Sequence, residues 1–65
     1  MSLTINGRET PIPDPPTLEN VLETLQPQEP YAVARNEEFV QRSKYQQCNL
    51  MDGDRIEILH PSVGG

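Results

Sequence analysis

The residues with the clearest chemical potential lie at the end of the chain, in His60-Pro61-Ser62-Val63-Gly64-Gly65. Glycine has no side chain to pack and loses more conformational entropy on ordering than any other residue. A Gly-Gly end therefore contributes little to its own domain, and termini are disordered unless tied down. Its advantage lies elsewhere, because two glycines can thread a narrow channel in a partner. They also leave the Gly65 α-carboxylate unhindered, and with a reference pKa of roughly 3.5 it is an anion at neutral pH. Such a carboxylate on a flexible arm suits nucleophilic attack on the α-phosphorus of ATP. Extended, the arm from Pro61 to Gly65 reaches about 16 Å. A frayed end or a cloning remnant accounts for the same dipeptide, so Gly64-Gly65 alone does not decide between them.

Other reactive groups are sparse. Cys48 is the one cysteine, which excludes an internal disulfide and a zinc set. No Lys or Arg lies within three residues on either side of it, so only a spatial neighbour would activate the thiol. The expected role is a small, partly buried hydrophobe. Asp52-Gly53-Asp54 lacks the remaining ligand spacing of a calcium loop and reads as a tight turn, with Gly53 at positive φ. His60 adjoins the tail and would bear on proton transfer there, but a solvated or hydrogen-bonded edge histidine is the expectation. No acid/base pair with helical or loop spacing is present, which argues against an enzyme.

Length and charge bound the class. A chain of 65 residues holds one small domain, burying roughly 60% of its unfolded surface. Aromatic residues make up 5% and Trp is absent, so Leu, Ile and Val must form the core. Ten acidic against five basic residues give a formal charge of −5. This balance argues against phosphate-backbone binding, which needs clustered Lys and Arg, and suits a steered encounter with a basic partner surface. No apolar run approaches the roughly 18 residues of a membrane span, and no signal segment is evident. A cytoplasmic protein, monomeric when free, is the expectation.

The elements that must position the tail follow in order. Met1–Ile5 alternates apolar and polar, as a half-buried strand does. Asn6-Gly7 is a hairpin signal, since a type I′ turn needs positive φ twice. Residues 8–12 form the return strand, and Pro11, with no N–H to donate, makes it an edge. Four of the seven prolines fall between positions 11 and 16, a rigid loop leading to a helix. Thr17 is the expected N-cap. Leu18, Val21, Leu22 and Leu25 fall on one helical face and are expected in the core, with Glu19 and Glu23 solvated and Pro27 ending the helix. Tyr31–Asn36 reads as a third strand of ambiguous parity, in which Ala32 and Ala34 could face inward. Phe39-Val40 suggests a strand of four or five residues followed by a single helical turn, and Leu50 anchors the next loop. In the last strand, 55–60, Ile56 and Ile58 share the core face. Leu59 lies opposite with Arg55 and Glu57, an apolar residue on a polar face and the natural first anchor for a partner.

Hairpin, helix, strand, short strand and closing strand make an α+β arrangement. A right-handed crossover places the last strand centrally beside the first, which is a β-grasp: a mixed sheet packed on one main helix. The expected domain is 1–60, with 61–65 as a flexible reactive tail.

Asn6-Gly7 after a short first strand, Ala32-Val33-Ala34-Arg35-Asn36, Arg42-Ser43-Lys44-Tyr45, Asp52-Gly53-Asp54-Arg55-Ile56-Glu57-Ile58 and the terminal Val63-Gly64-Gly65 together resemble the ThiS family. These are small sulfur carriers of thiamine biosynthesis in the ubiquitin-like β-grasp superfamily. The resemblance covers nearly the whole chain and rests on order, spacing and length rather than on one motif. The proline-rich stretch 11–16 and Pro61-Ser62 depart from the family pattern.

The resemblance implies that an E1-like adenylyltransferase activates the Gly65 carboxylate with ATP and magnesium, the chain itself binding no cofactor. A persulfide from a cysteine desulfurase or related donor would then displace AMP, leaving a Gly65 thiocarboxylate that passes sulfur to thiazole synthase. The chain would be a co-substrate and not an enzyme. Gly64 would give access to the partner's site, and Leu59, Ser62 and Val63 would contact partners. The nearest alternatives are the small subunit of molybdopterin synthase and a carrier for tRNA thiolation. A non-covalent β-grasp binding module is the alternative of another class.

Overall fold

Asn6 and Gly7 turn the chain as their residue types require, with φ of 51° and 83°. They join strand β1 (Ser2–Ile5) to β2 (Arg8–Pro11) in an antiparallel hairpin, with Ile5 opposite Arg8 and Ser2 opposite Pro11. The structure is a computed structural model that describes residues 1–61.

Helix α1 (Leu18–Leu25) begins where Thr17 Oγ1 accepts the Asn20 N–H at 3.2 Å, satisfying a first-turn donor that has no helical partner. It ends at Gln26, which adopts the left-handed conformation at φ 49° and donates its N–H to the Leu22 carbonyl at 2.8 Å. Strand β3 (Ala32–Arg35) and strand β4 (Glu38–Val40) form a second antiparallel hairpin. A 3-10 helix (Arg42–Gln47) leads to strand β5 (Arg55–Leu59).

The sheet order is β2-β1-β5-β3-β4. The last strand is therefore central, parallel to β1 and antiparallel to β3, and Pro11 sits on an edge strand. This is the expected β-grasp. Leu3 and Ile5, Val33, and Ile56 and Ile58 form the sheet's contribution to the core, closed by Leu18, Val21 and Leu22 of α1 and by Tyr45 and Leu50. Backbone bonds from Leu18 to the Cys48 carbonyl and from Leu50 to the Pro16 carbonyl tie the 3-10 segment to the start of α1.

Three local expectations change. Leu25 was expected on the core face but is 47% exposed. The helix ends at that residue, and the edge strand beside it is too short to cover it. Leu25 instead walls a recess with Ile5, Thr10 and Pro13. The parity of β3 is settled by Val33, which is fully buried, so Ala32 and Ala34 face away from the helix. Strand β4 has three residues rather than four or five, and the helical turn after it is of the 3-10 type.

Candidate functional site at the root of the tail

Strand β5 alternates strictly: Ile56 and Ile58 are buried, while Arg55, Glu57 and Leu59 are exposed. The alternation follows from the two-residue period of a strand whose one face meets a helix. Its start is fixed by Asp54, which is only 7% exposed. Asp54 Oδ2 accepts from Arg35 Nε at 2.9 Å and from the Met51 N–H at 2.8 Å, and Oδ1 accepts from Asn36 Nδ2 at 3.0 Å. Burial pushes the Asp54 carboxyl up, but the Met51 N–H, the Asn36 amide and the Arg35 guanidinium outweigh it and hold the group below its ordinary value. The β5 end that leads to the tail is fixed by Asn6, whose side chain binds both the N–H and the carbonyl of Ile58.

Leu59 is the last residue of β5. Leu59 pairs with Ala32 of β3, and Phe39 of β4 pairs with Ala34. Directly paired residues share a face, as do residues two apart on one strand. Leu59, Ala32, Ala34 and Phe39 therefore lie together on the face of the sheet opposite α1. Leu59 is 53% exposed and Phe39 69%, and Glu57 shares the face as the other partner of Ala34. The sequence identified Leu59 but missed Phe39, because pairing through two alanines is needed to bring the two large side chains onto one face. The apolar residue in a three-residue strand was the available signal.

His60 is exposed and meets Tyr31, with ring centroids 6.5 Å apart and planes at 60°. Arg42 Cζ lies 5.9 Å from the Tyr31 ring centroid, and its guanidinium pairs with Glu29 at 2.7 Å. Ser62, Val63, Gly64 and Gly65 lie outside the described residues.

Cys48 is half-buried and packs against the core, as a small hydrophobe would. It does have the spatial neighbour that its local sequence lacks, with Arg35 Nη1 at 3.9 Å from Sγ. That guanidinium is also engaged by Asp54, with Nη2 2.8 Å from Oδ2. An open cleft of about 470 Å³ lies beside Cys48, lined also by Lys44, Gln41 and Phe39. It adjoins the Arg35 end of β3, away from the end where Ala32 meets Leu59. Among the described residues no group of three or more His, Cys, Asp and Glu side chains is placed to hold a metal ion. No helix among them is long and apolar enough to cross a membrane.

The sequence model of the ThiS family matches residues 3–65. The crystal structure of a thiamine biosynthesis protein (ThiS) from Geobacter metallireducens is similar over the whole of both chains, with a TM-score of 0.79 and 27% identity. No curated protein sequence matches the chain.

Proposed function

The chain belongs to the ThiS family, and from that membership we propose that it is a sulfur carrier of thiamine biosynthesis whose reacting group is the Gly65 carboxylate. The observation that carries the reading is a family match running through Gly65 on a fold whose central strand leads to the tail.

In this reading an E1-like adenylyltransferase, using ATP and magnesium, adenylates Gly65, and pyrophosphate leaves. The step is needed because a carboxylate resists nucleophiles, whereas an acyl-adenylate carries a good leaving group. A persulfide sulfur from a cysteine desulfurase or related donor then attacks the carbonyl and AMP departs. A thiol cleaves the resulting acyl disulfide and frees the thiocarboxylate, which passes its sulfur to thiazole synthase. Gly64 lets the backbone enter the activating site, with Ser62 and Val63 lining the approach. Leu59, with Phe39 beside it, docks the body. The chain is a co-substrate, acting as a diffusing cytoplasmic monomer.

The test is intact mass after incubation with ATP, an E1-like activating enzyme and a sulfur source. The expected result is a gain equal to one oxygen-to-sulfur exchange, localised to Gly65 and absent when Gly65 is deleted. No gain with any competent activating enzyme would overturn the carrier reading and leave a non-covalent binding module.

A further inference from the structure

We propose that Tyr31 is a positioning residue for the tail, its ring holding His60 edge-on and thereby setting the direction in which the chain leaves β5. The proposal rests on the carrier reading and adds to it a residue that makes no contact with the reacting group.

The argument starts from where the backbone ladder stops. The described pairing of β5 ends at Leu59 opposite Ala32. The residue just after β5 is His60, and the residue just before Ala32 is Tyr31. These two rings thus stand where the ladder would have continued. Their centroids are 6.5 Å apart with planes at 60°, inside the edge-to-face range for aromatic pairs. Tyr31 is half-buried and packs against the core cluster, which restrains its ring. Arg42 Cζ also lies 5.9 Å from the Tyr31 ring centroid, within cation–π reach. Arg42 also meets Glu29 at 2.7 Å, a pair between two exposed side chains, and Pro30 joins Glu29 to Tyr31 with a fixed φ. A connected row, Glu29, Arg42, Tyr31 and His60, runs from the loop after α1 to the last side chain before Pro61.

Fixing His60 sets the direction in which the chain leaves β5 toward Pro61 before any partner is met. An arm already aimed loses less freedom when it threads a partner's channel. Docking of the body through Leu59 and Phe39 lies on the opposite face of the sheet and is unaffected. The contribution should therefore appear in turnover and not in affinity.

The experiment is steady-state ATP–pyrophosphate exchange with an E1-like activating enzyme, using the full chain as wild type, Tyr31→Ala, Tyr31→Phe and His60→Ala. The His60 ring-proton shifts and amide order parameter are read by NMR on the free protein. We expect Tyr31→Ala and His60→Ala each to lower kcat by about three- to tenfold, the worth of one aromatic edge contact, with KM unchanged. Tyr31→Phe should restore wild-type turnover, since the contact uses the ring and not the hydroxyl. His60 should show a ring-current shift in wild type and Tyr31→Phe, lost in Tyr31→Ala with a lower order parameter. His60→Ala touches an exposed residue, so it reports even where Tyr31→Ala unfolds. Unchanged kcat in both alanine variants, a loss confined to KM, or a Tyr31→Phe variant as poor as Tyr31→Ala would each overturn the role. Absence of exchange in wild type would remove the carrier reading instead, and the His60 shift would still show whether the rings meet.

Discussion

The side-chain amide of Asn6 continues the β1–β5 ladder past the end of β1. Its Oδ1 accepts the Ile58 N–H at 2.8 Å and its Nδ2 donates to the Ile58 carbonyl at 3.4 Å. The backbone N–H of the same residue donates to the Ile56 carbonyl at 2.9 Å. A residue chosen by its turn thus also clamps the strand that carries the tail, one residue before Leu59.

The two roles of Asn6 separate by substitution. Asn6→Gly keeps the positive φ and removes the side-chain bonds, and should cost about 1 kcal/mol. Asn6→Ala keeps a β-carbon in the left-handed region without the short polar side chain that lets Asn adopt it, and should cost roughly 1 kcal/mol more. Urea denaturation gives both values. Hydrogen exchange should show the Ile58 amide losing protection in both variants, while Ala34, paired with Glu57 inside the β3–β5 ladder, keeps it. Equal stability of Asn6→Gly and wild type would show that the clamp contributes nothing.

Asp54 gives the fold an acid-sensitive contribution. Its folded-state pKa is depressed below the unfolded value despite the opposing effect of burial. Stability from this group is therefore complete above the unfolded carboxylate pKa of about 4 and is lost as pH falls through the folded value, because the unfolded chain takes up the proton first. Asp54→Asn removes the charge-assisted bonds to Arg35 and Asn36 and should lower stability at neutral pH by about 2 kcal/mol. Chemical denaturation at neutral pH and below pH ~4 should show the gap between wild type and Asp54→Asn narrowing toward acid. A gap that stays constant with pH would contradict the assignment.

Much of the architecture is legible in the sequence because the signals are local. Asn6-Gly7 specifies a turn, Thr17 a cap, Pro11 an edge and the alternation of Ile56 and Ile58 a face. What was not legible depends on contacts between segments. The parity of β3 hangs on Val33 meeting Ile58, a pairing 25 residues apart by their numbering. The burial of Asp54 depends on Arg35 and Asn36, so in sequence it reads as an ordinary turn aspartate. Leu25 has the right helical phase but ends the helix, where it walls an open recess with Ile5 and Thr10 instead of joining the core. At the site, Leu59 could be found from β5 alone, whereas Phe39 and Tyr31 acquire meaning only once β3 lies beside β5. The turn at Asn36-Glu37 was hidden because Glu37 occupies a position where glycine would have announced it.

That turn supplies a stabilising substitution. Asn36 and Glu37 join Arg35 to its cross-strand partner Glu38 with φ of 50° and 72°. A left-handed conformation costs a residue with a β-carbon roughly 1 kcal/mol, and Glu37 carries that cost. Its ion pair with Arg55, at 3.9 Å between two largely exposed side chains, offsets little of it. Glu37→Gly should therefore raise stability by about 0.5–1 kcal/mol in urea or thermal unfolding, the relieved strain exceeding the added freedom of the unfolded chain. A destabilised Glu37→Gly would mean that the Arg55 pair outweighs the strain.

The open face tests how docking divides between apolar contact and charge. Leu59 and Phe39 are exposed, so truncating either should change folding stability by no more than about 0.5 kcal/mol. If they anchor the body on an activating enzyme, each alanine variant should weaken binding by about 1–2 kcal/mol, since large apolar side chains at the centre of an interface carry much of its energy. The loss should appear as faster dissociation. The net charge of −5 acts at a different stage. In the carrier reading it steers the encounter with a basic partner surface, so raising salt should slow association of wild type and of both variants by the same factor. Surface plasmon resonance across a salt series measures both rates. Variants that dissociate like wild type would remove Leu59 and Phe39 from the interface, and a salt-independent association rate would remove the basic partner surface.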